Sequence, residues 1–255
     1  YVGGVCGDND GATITGCYNT GAVSGSVNYV GGVCGCNKTA TITGGCNKTA
    51  TITGCYTNNC GVCGANEEGT ITDDCGEKSD NEFRDGTVCS QLNTALKKAK
   101  ASVRFYQGTN YPELFMNVPS LVDDVYQISN KEELYAFALL VNNGETSANA
   151  VLTADITVNT GVLKSDGTLN NNVSGFETWT PIGFGFEYKG TFDGKGYTVS
   201  GLYFNDSSKE RVGLFGRVDS GGKISNVGVL DSYFLFSMFG GGVCGRNDGE
   251  ISNCY

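Results

Sequence analysis

The sequence predicts an all-β fold: a right-handed parallel β-helix with coils of about 28 residues. Three observations carry this expectation. Glycine makes up 39 of the 255 residues and proline only 3, and each glycine in a helix interior costs about 1 kcal/mol relative to alanine. A short phrase recurs at a fixed period. YVGGVCG begins at Tyr1 and again at Tyr29, so that Cys6, Cys34 and Cys63 fall 28 and 29 residues apart. Far downstream, VGLFG sets Phe215 in the same column and Cys244 follows it by 29. Parallel crossovers are right-handed in about 98% of cases, which sets the expected hand. A helical-repeat solenoid is the rival, and the glycine within each unit argues against it.

Each coil reads as a succession of short elements. Asparagine follows the VCG cysteine by three residues at Asn9, Asn37, Asn66 and Asn247. At a fixed turn position these residues would stack into a hydrogen-bonded ladder. Thr-Ile-Thr recurs at 13–15, 41–43, 51–53 and 70–72, and strand alternation would send Ile inward and both Thr outward. A further landmark is an Ile or Val three or four residues before a Cys, Val or Leu: Ile14/Cys17, Ile42/Cys46, Ile71/Cys75, Val199/Leu202, Ile224/Val227 and Ile251/Cys254. CNKTATITG occurs at both 36–44 and 46–54, a local ten-residue duplication.

The expected organisation has four parts. Residues 1–79 are closing coils of a first solenoid. Residues 80–126 are its closing cap, with helical spacing over 92–103 at Leu92, Leu96, Ala99 and Val103. Residues 127–149 form a helical N-terminal cap of a second solenoid, with Ser129 and Glu132 as a capping box and an end near Asn142–Gly144. Residues 150–255 are its opening coils. Caps are needed because terminal coils expose unpaired strand edges.

Composition excludes several functions. The chain has no histidine, which rules out Ser-His-Asp or Cys-His nucleophile pairs and histidine-bound metals. Its net charge of −10 argues against nucleic acid and anionic membrane surfaces as partners. The longest apolar run, residues 134–141, is far too short to span a bilayer, so no membrane insertion is expected in this segment. Twelve cysteines indicate an oxidising compartment. The chain opens inside a repeat without a start Met, as expected of a fragment or processed product.

GGVCG at 3–7, 31–35 and 241–245, CYNTG at 17–21 and NCY at 253–255 resemble the GLUG repeats of secreted bacterial surface proteins. The likeness extends to residues 179–183, 188–204 and 212–216, which resemble opening coils. Residues 128–144 and 152–158 resemble the segment before them, and 83–93 with 105–114 the segment that ends them. The resemblance implies the solenoid fold and an extracellular or cell-surface location. It brings no catalytic signature.

Candidate chemistry is weighed residue by residue. Cys60 and Cys63 form a CxxC with Cys75 and Cys89 downstream, but zinc spacing usually supplies two tight pairs and Cys63 already has a repeat role. Asp193, Asp206, Asp219 and Asp231 could serve a carbohydrate-cleaving enzyme, but no acid cluster stands out. Acidic turns at Asp8/Asp10, Glu67/Glu68 and Asp248/Glu250 could hold Ca²⁺, with solvated turns as the simpler reading. The stacked threonines resemble an ice-binding face, but the second array replaces them with Thr198/Ser200, Lys223/Ser225 and Glu250/Ser252. Sequons occur at Asn37, Asn47, Asn172 and Asn205.

Each VCG cysteine has a companion 10–12 residues on: Cys6/Cys17, Cys34/Cys46, Cys63/Cys75 and Cys244/Cys254. The repeats gain and lose both together, so disulfides within single coils are expected, each contributing about 2–3 kcal/mol. Cys55 is an alternative companion for Cys34, and a reduced ladder between coils is the rival. Cys36, Cys55, Cys60 and Cys89 are left unassigned. Finally, one NTGAVSGSVN-like stretch between Tyr255 and a following Tyr1 would place Cys244 and the next Cys6 about 27 residues apart, continuing the period. The sequence therefore predicts a non-enzymatic structural or adhesive unit of a longitudinal, disulfide-stabilised fibre. Its expected partners are further copies or tandem units of itself end to end, with host or environmental glycans as further ones. No catalytic, cofactor or metal residues are expected. A carbohydrate-binding or carbohydrate-cleaving β-helix is the alternative.

Overall fold

The computed structural model describes residues 2–24, 30–38, 41–48, 52–53, 63–67, 70–72, 76–99, 101, 103–107, 109, 111–115 and 117–255. These are mostly strand, with three helices and no closed barrel among them. They form two compact units, Tyr1–Met116 and Asn117–Tyr255.

In the first unit, strands one repeat apart pair in parallel. Cys6–Asp10 pairs with Cys34–Lys38, which pairs with Cys63–Glu67, so that Cys6, Cys34 and Cys63 lie opposite one another. Thr13–Asn19 and Thr70–Thr72 both pair with Thr41–Lys48, stacking Ile14, Ile42 and Ile71. Ile42 is fully buried with Val33 and Cys34, and Cys6 and Ile14 pack against them. Thr13 is exposed, as alternation requires.

The ten-residue duplication resolves in an unexpected way. Thr41–Thr43 of the first copy joins the Thr-Ile-Thr column, whereas Ile52–Thr53 of the second copy pairs with Val23–Ser24 in a separate sheet. Identical strings thus take different places, because register is set by the chain length between turns as well as by the residues. The insertion also shifts the companion cysteines. Gly45 lies opposite Cys17, and Cys46 lies opposite Tyr18 and Gly76.

Two helices close this unit. The first, α1 (Asp80–Arg84), starts at a capping box in which Ser79 and Glu82 bond reciprocally. The second, α2 (Thr87–Lys98), begins before the expected 92–103 helix, because Asp85 accepts from Thr87 N–H and Gly86 takes φ 91° between the two helices. It ends at Ala99, where the chain turns back and Ala101 N–H bonds to Leu96 O. Val88, Leu92 and Leu96 pack with Phe83 and Phe105. Gly16 makes room for this packing. A Cβ there would lie 2.7 Å from Leu96 Cγ, and its φ of +58° suits glycine. Arg104–Gln107 and Pro112–Phe115 form an antiparallel pair.

The unit boundary lies before the expected end of the first cap at residue 126. Ser120–Val122 and Val125–Ile128 pair antiparallel, and Val125–Ile128 already pairs in parallel with Asn149–Leu152 of the second unit. That sheet continues through Thr191–Asp193, Lys223–Ser225 and Glu250–Ser252, with Ala150, Phe192, Ile224 and Ile251 in one column. A second column holds Ile156, Val199 and Val229. Val199 therefore does not share the column of Ile224, as the sequence landmark has it. Phe192 stands opposite Ile224 instead. Phe215 does lie opposite Cys244.

The third helix, α3 (Lys131–Asn142), lays Leu134, Phe137 and Val141 over this core, with the Phe137 ring against Tyr126, Tyr188 and Phe192. Its N-cap is Asn130, one residue later than expected, and the Glu133 carboxylate bonds back to Ser129 N–H and Oγ. Its end at Asn142, with Gly144 at φ 107°, matches the sequence reading.

Candidate functional site

The structure gathers the motif residues into columns. Cys6, Cys17, Cys89, Cys244 and Cys254 are free thiols. The within-coil disulfides Cys6–Cys17 and Cys244–Cys254 are thus not present. Each sulfur turns instead to its own strand. The VCG cysteine donates two residues forward, Cys6 to Asp8 O at 3.0 Å and Cys244 to Arg246 O at 3.0 Å. The companion donates two residues back, Cys17 to Thr15 O at 3.4 Å and Cys254 to Ser252 O at 3.2 Å. Burial raises the Cys17 thiol and pushes Cys244 up to about 11, so both are protonated at neutral pH. In the middle repeat Cys34 Sγ likewise donates forward, to Cys36 O. Cys89 lies on α2 with its thiol on Phe105 O, and burial pushes it up to about 11. Cys55, Cys60 and Cys75 and the side chains of Cys46 and Cys63 lie outside the described residues. So do the pairs Cys34–Cys46 and Cys63–Cys75 and the CxxC.

Asn9 and Asn37 lie opposite each other with Asn66 next in register. Asn9 Nδ2 donates to Asn37 Oδ1 at 2.8 Å, and both are buried. The sequon at Asn37 is therefore inaccessible in the folded chain. Asn247 lies opposite Val218, and its side chain closes its own turn on Gly249.

A second polar chain was not foreseen. Asn253 Nδ2 donates to Asn226 Oδ1 at 3.1 Å, and Asn226 Nδ2 donates to Asp193 Oδ1 at 2.9 Å. Asn226 and Asn253 both take φ 54°, a region asparagine tolerates better than most residues. The signal was present as ISN at 224–226 and again at 251–253.

The candidate acids do not form a catalytic pair. Asp193 accepts from Lys195 N–H and pairs with the Lys195 ammonium. Asp206 caps its own turn through Ser208, and Asp219 pairs with Lys189 at 3.6 Å. Asp231 sits at φ 45° in an exposed turn. Of the acidic turns, Asp248 pairs with Arg217 and Arg246, and Glu250 pairs with Lys223 at 3.2 Å. Lys223 and Glu250 occupy a position that holds threonine in the first unit, so the second array carries an ion pair in place of a threonine grid. Among the described residues no three His, Cys, Asp or Glu side chains come together as a metal-binding group. No described helix is long and apolar enough to cross a membrane.

No family model and no solved structure matches the chain. Among curated proteins it is similar to Halomucin of Haloquadratum walsbyi, 28% identical over 177 residues. The match covers 66% of this chain, and the chain spans 2% of that relative's length.

Proposed function

We propose that the chain is a non-enzymatic structural or adhesive repeat segment of a surface protein. Its repeat arrays are right-handed parallel β-helices of the GLUG type, and the chain is one unit of a fibre whose partners are further copies or tandem units of itself end to end. The observation that carries this reading is the like-on-like register. Cys6, Cys34 and Cys63, then Asn9, Asn37 and Asn66, then Ile14, Ile42 and Ile71 stand opposite one another in successive repeats. Such stacking propagates along one axis and places extra copies at low cost. The likeness to Halomucin is compatible with an extracellular structural role. The polar residues described above are held by turns, ladders and ion pairs of the framework. The fibre is held by backbone pairing and core columns. Electron micrographs of the purified protein, with fibre diffraction, test the reading. Filaments with a meridional spacing of about 4.8 Å support it. Discrete globular particles, or release of reducing sugar from a polysaccharide, overturn it.

A further inference from the structure

The second unit contains a cleft that the stacking does not use. Gly183, Phe184, Gly185, Phe186, Glu187, Glu210, Arg211 and Arg217 enclose about 230 Å³, room for one small ring rather than an extended ligand. Its walls are tied together by hydrogen bonds, a ring contact and ion pairs. Asn142 Oδ1 accepts from both Gly183 N–H and Phe184 N–H at 2.8 and 2.9 Å, and Asn142 Nδ2 donates to Pro181 O at 3.0 Å. The Phe184 ring is backed by Phe204, with centroids 6.2 Å apart. Arg217 is fixed between Glu187 and Asp248.

Two residues are unexplained by folding. Phe186 is 50% exposed although it is a large apolar ring. Arg211 takes φ +62°, a strained conformation for a long side chain. Its Nε is buried with no hydrogen-bond partner, and it is in no ion pair among the described residues. A buried N–H without an acceptor is costly, so Arg211, which also lines the cleft, is held there at a cost in stability.

We propose that this cleft is a subsite for the uncharged, hydroxyl-rich ring of a sugar, with Phe186 as its stacking platform and the Arg211 guanidinium as donor. The charge balance selects the ligand class. The lining carries two guanidiniums, Arg211 and Arg217, and two carboxylates, Glu187 and Glu210, so it has no net charge to draw an ionic ligand. Sugar hydroxyls suit the mixture, because they donate to Glu187 and Glu210 and accept from Arg211. The apolar C–H face of a pyranose covers the Phe186 ring. This assignment rests on the adhesive reading above and gives it a ligand.

Saturation-transfer NMR on the whole chain tests it, with methyl β-glucopyranoside, methyl β-galactopyranoside, methyl α-mannopyranoside and glucuronate as probes. At least one neutral pyranoside is expected to bind through one ring face, with tenfold or greater loss in both Phe186→Ala and Arg211→Gly. Glycine suits the φ of residue 211, so the second variant keeps the backbone. No binding of any neutral pyranoside, binding of glucuronate alone, or binding that survives both substitutions overturns the proposal. Imaging the same variants separates the two readings: filaments without sugar binding defeat the subsite alone, and sugar binding without filaments defeats the fibre alone.

Discussion

Asn9 Nδ2 donates to Asn37 Oδ1 at 2.8 Å, joining side chains 28 residues apart that are 5% and 0% exposed. Asn37→Ala removes the acceptor and leaves the Asn9 amide without it inside the stack. A loss of about 1–3 kcal/mol is expected. Urea denaturation followed by far-UV circular dichroism measures it. A loss below about 0.5 kcal/mol would show that the ladder contributes nothing beyond the backbone pairing.

Trp179 is the chain's one tryptophan, fully buried, with Nε1 donating to Gly213 O at 3.0 Å. Its fluorescence therefore reports on the second unit alone. Trp179→Ala should destabilise that unit by about 3–5 kcal/mol. Trp179→Phe retains most of the apolar bulk and should cost less. Thermal melts of both variants check the order, and equal losses would mean that the cavity matters little there.

The repeat period and the inward Ile positions were legible because stacked strands place like residues opposite like, and Phe215 opposite Cys244 follows from the same rule. Two things were hidden. Which copy of the duplicated string enters the Thr-Ile-Thr column depends on where the chain turns, and identical residues carry no information on that. The thiols were misjudged because co-occurrence of Cys6 and Cys17 marks two positions in one repeat, whether or not the sulfurs meet. In the structure each satisfies its own strand's carbonyl. The cleft was illegible because nothing in the sequence marks Arg211 as taking φ +62° within the strand Glu210–Val212, or Phe186 as an exposed ring.

The thiols should respond to pH in a defined direction. Burial raises Cys89 and Cys244 to about 11 from 9.0. At pH 8 their thiolate fraction is then lower by about a hundredfold than for an unperturbed thiol, and alkylation slows accordingly. Since the folded pKa lies above the unfolded one, the associated stability is complete below about pH 9 and declines as pH rises towards 11. Iodoacetamide labelling resolved by mass spectrometry should find both residues slow in the native chain and fast in urea. Absence of a free thiol at Cys244 would contradict the structure.

Asn226 joins three repeats, donating to Asp193 and accepting from Asn253, while holding φ 54°. Two effects can be separated by substitution. Asn226→Gly loses the side-chain bonds but keeps the backbone relaxed, whereas Asn226→Ala also strains a left-handed position by about 1–2 kcal/mol. Alanine should therefore be the more destabilising by about that amount. The pH dependence follows from Asp193. Burial alone would raise its carboxyl, but hydrogen bonds from Asn226 and Lys195, with the Lys195 charge, outweigh it and hold the group below its usual range. A lowered carboxyl contributes stability that is present above about pH 4 and is lost as pH falls through the folded value. The penalty of Asn226→Gly should accordingly shrink between pH 7 and pH 2, because the neutral Asp193 accepts more weakly. Urea titrations at the two pH values measure this, and a penalty unchanged at pH 2 would show that the Asn226–Asp193 bond does not favour the ionised carboxylate.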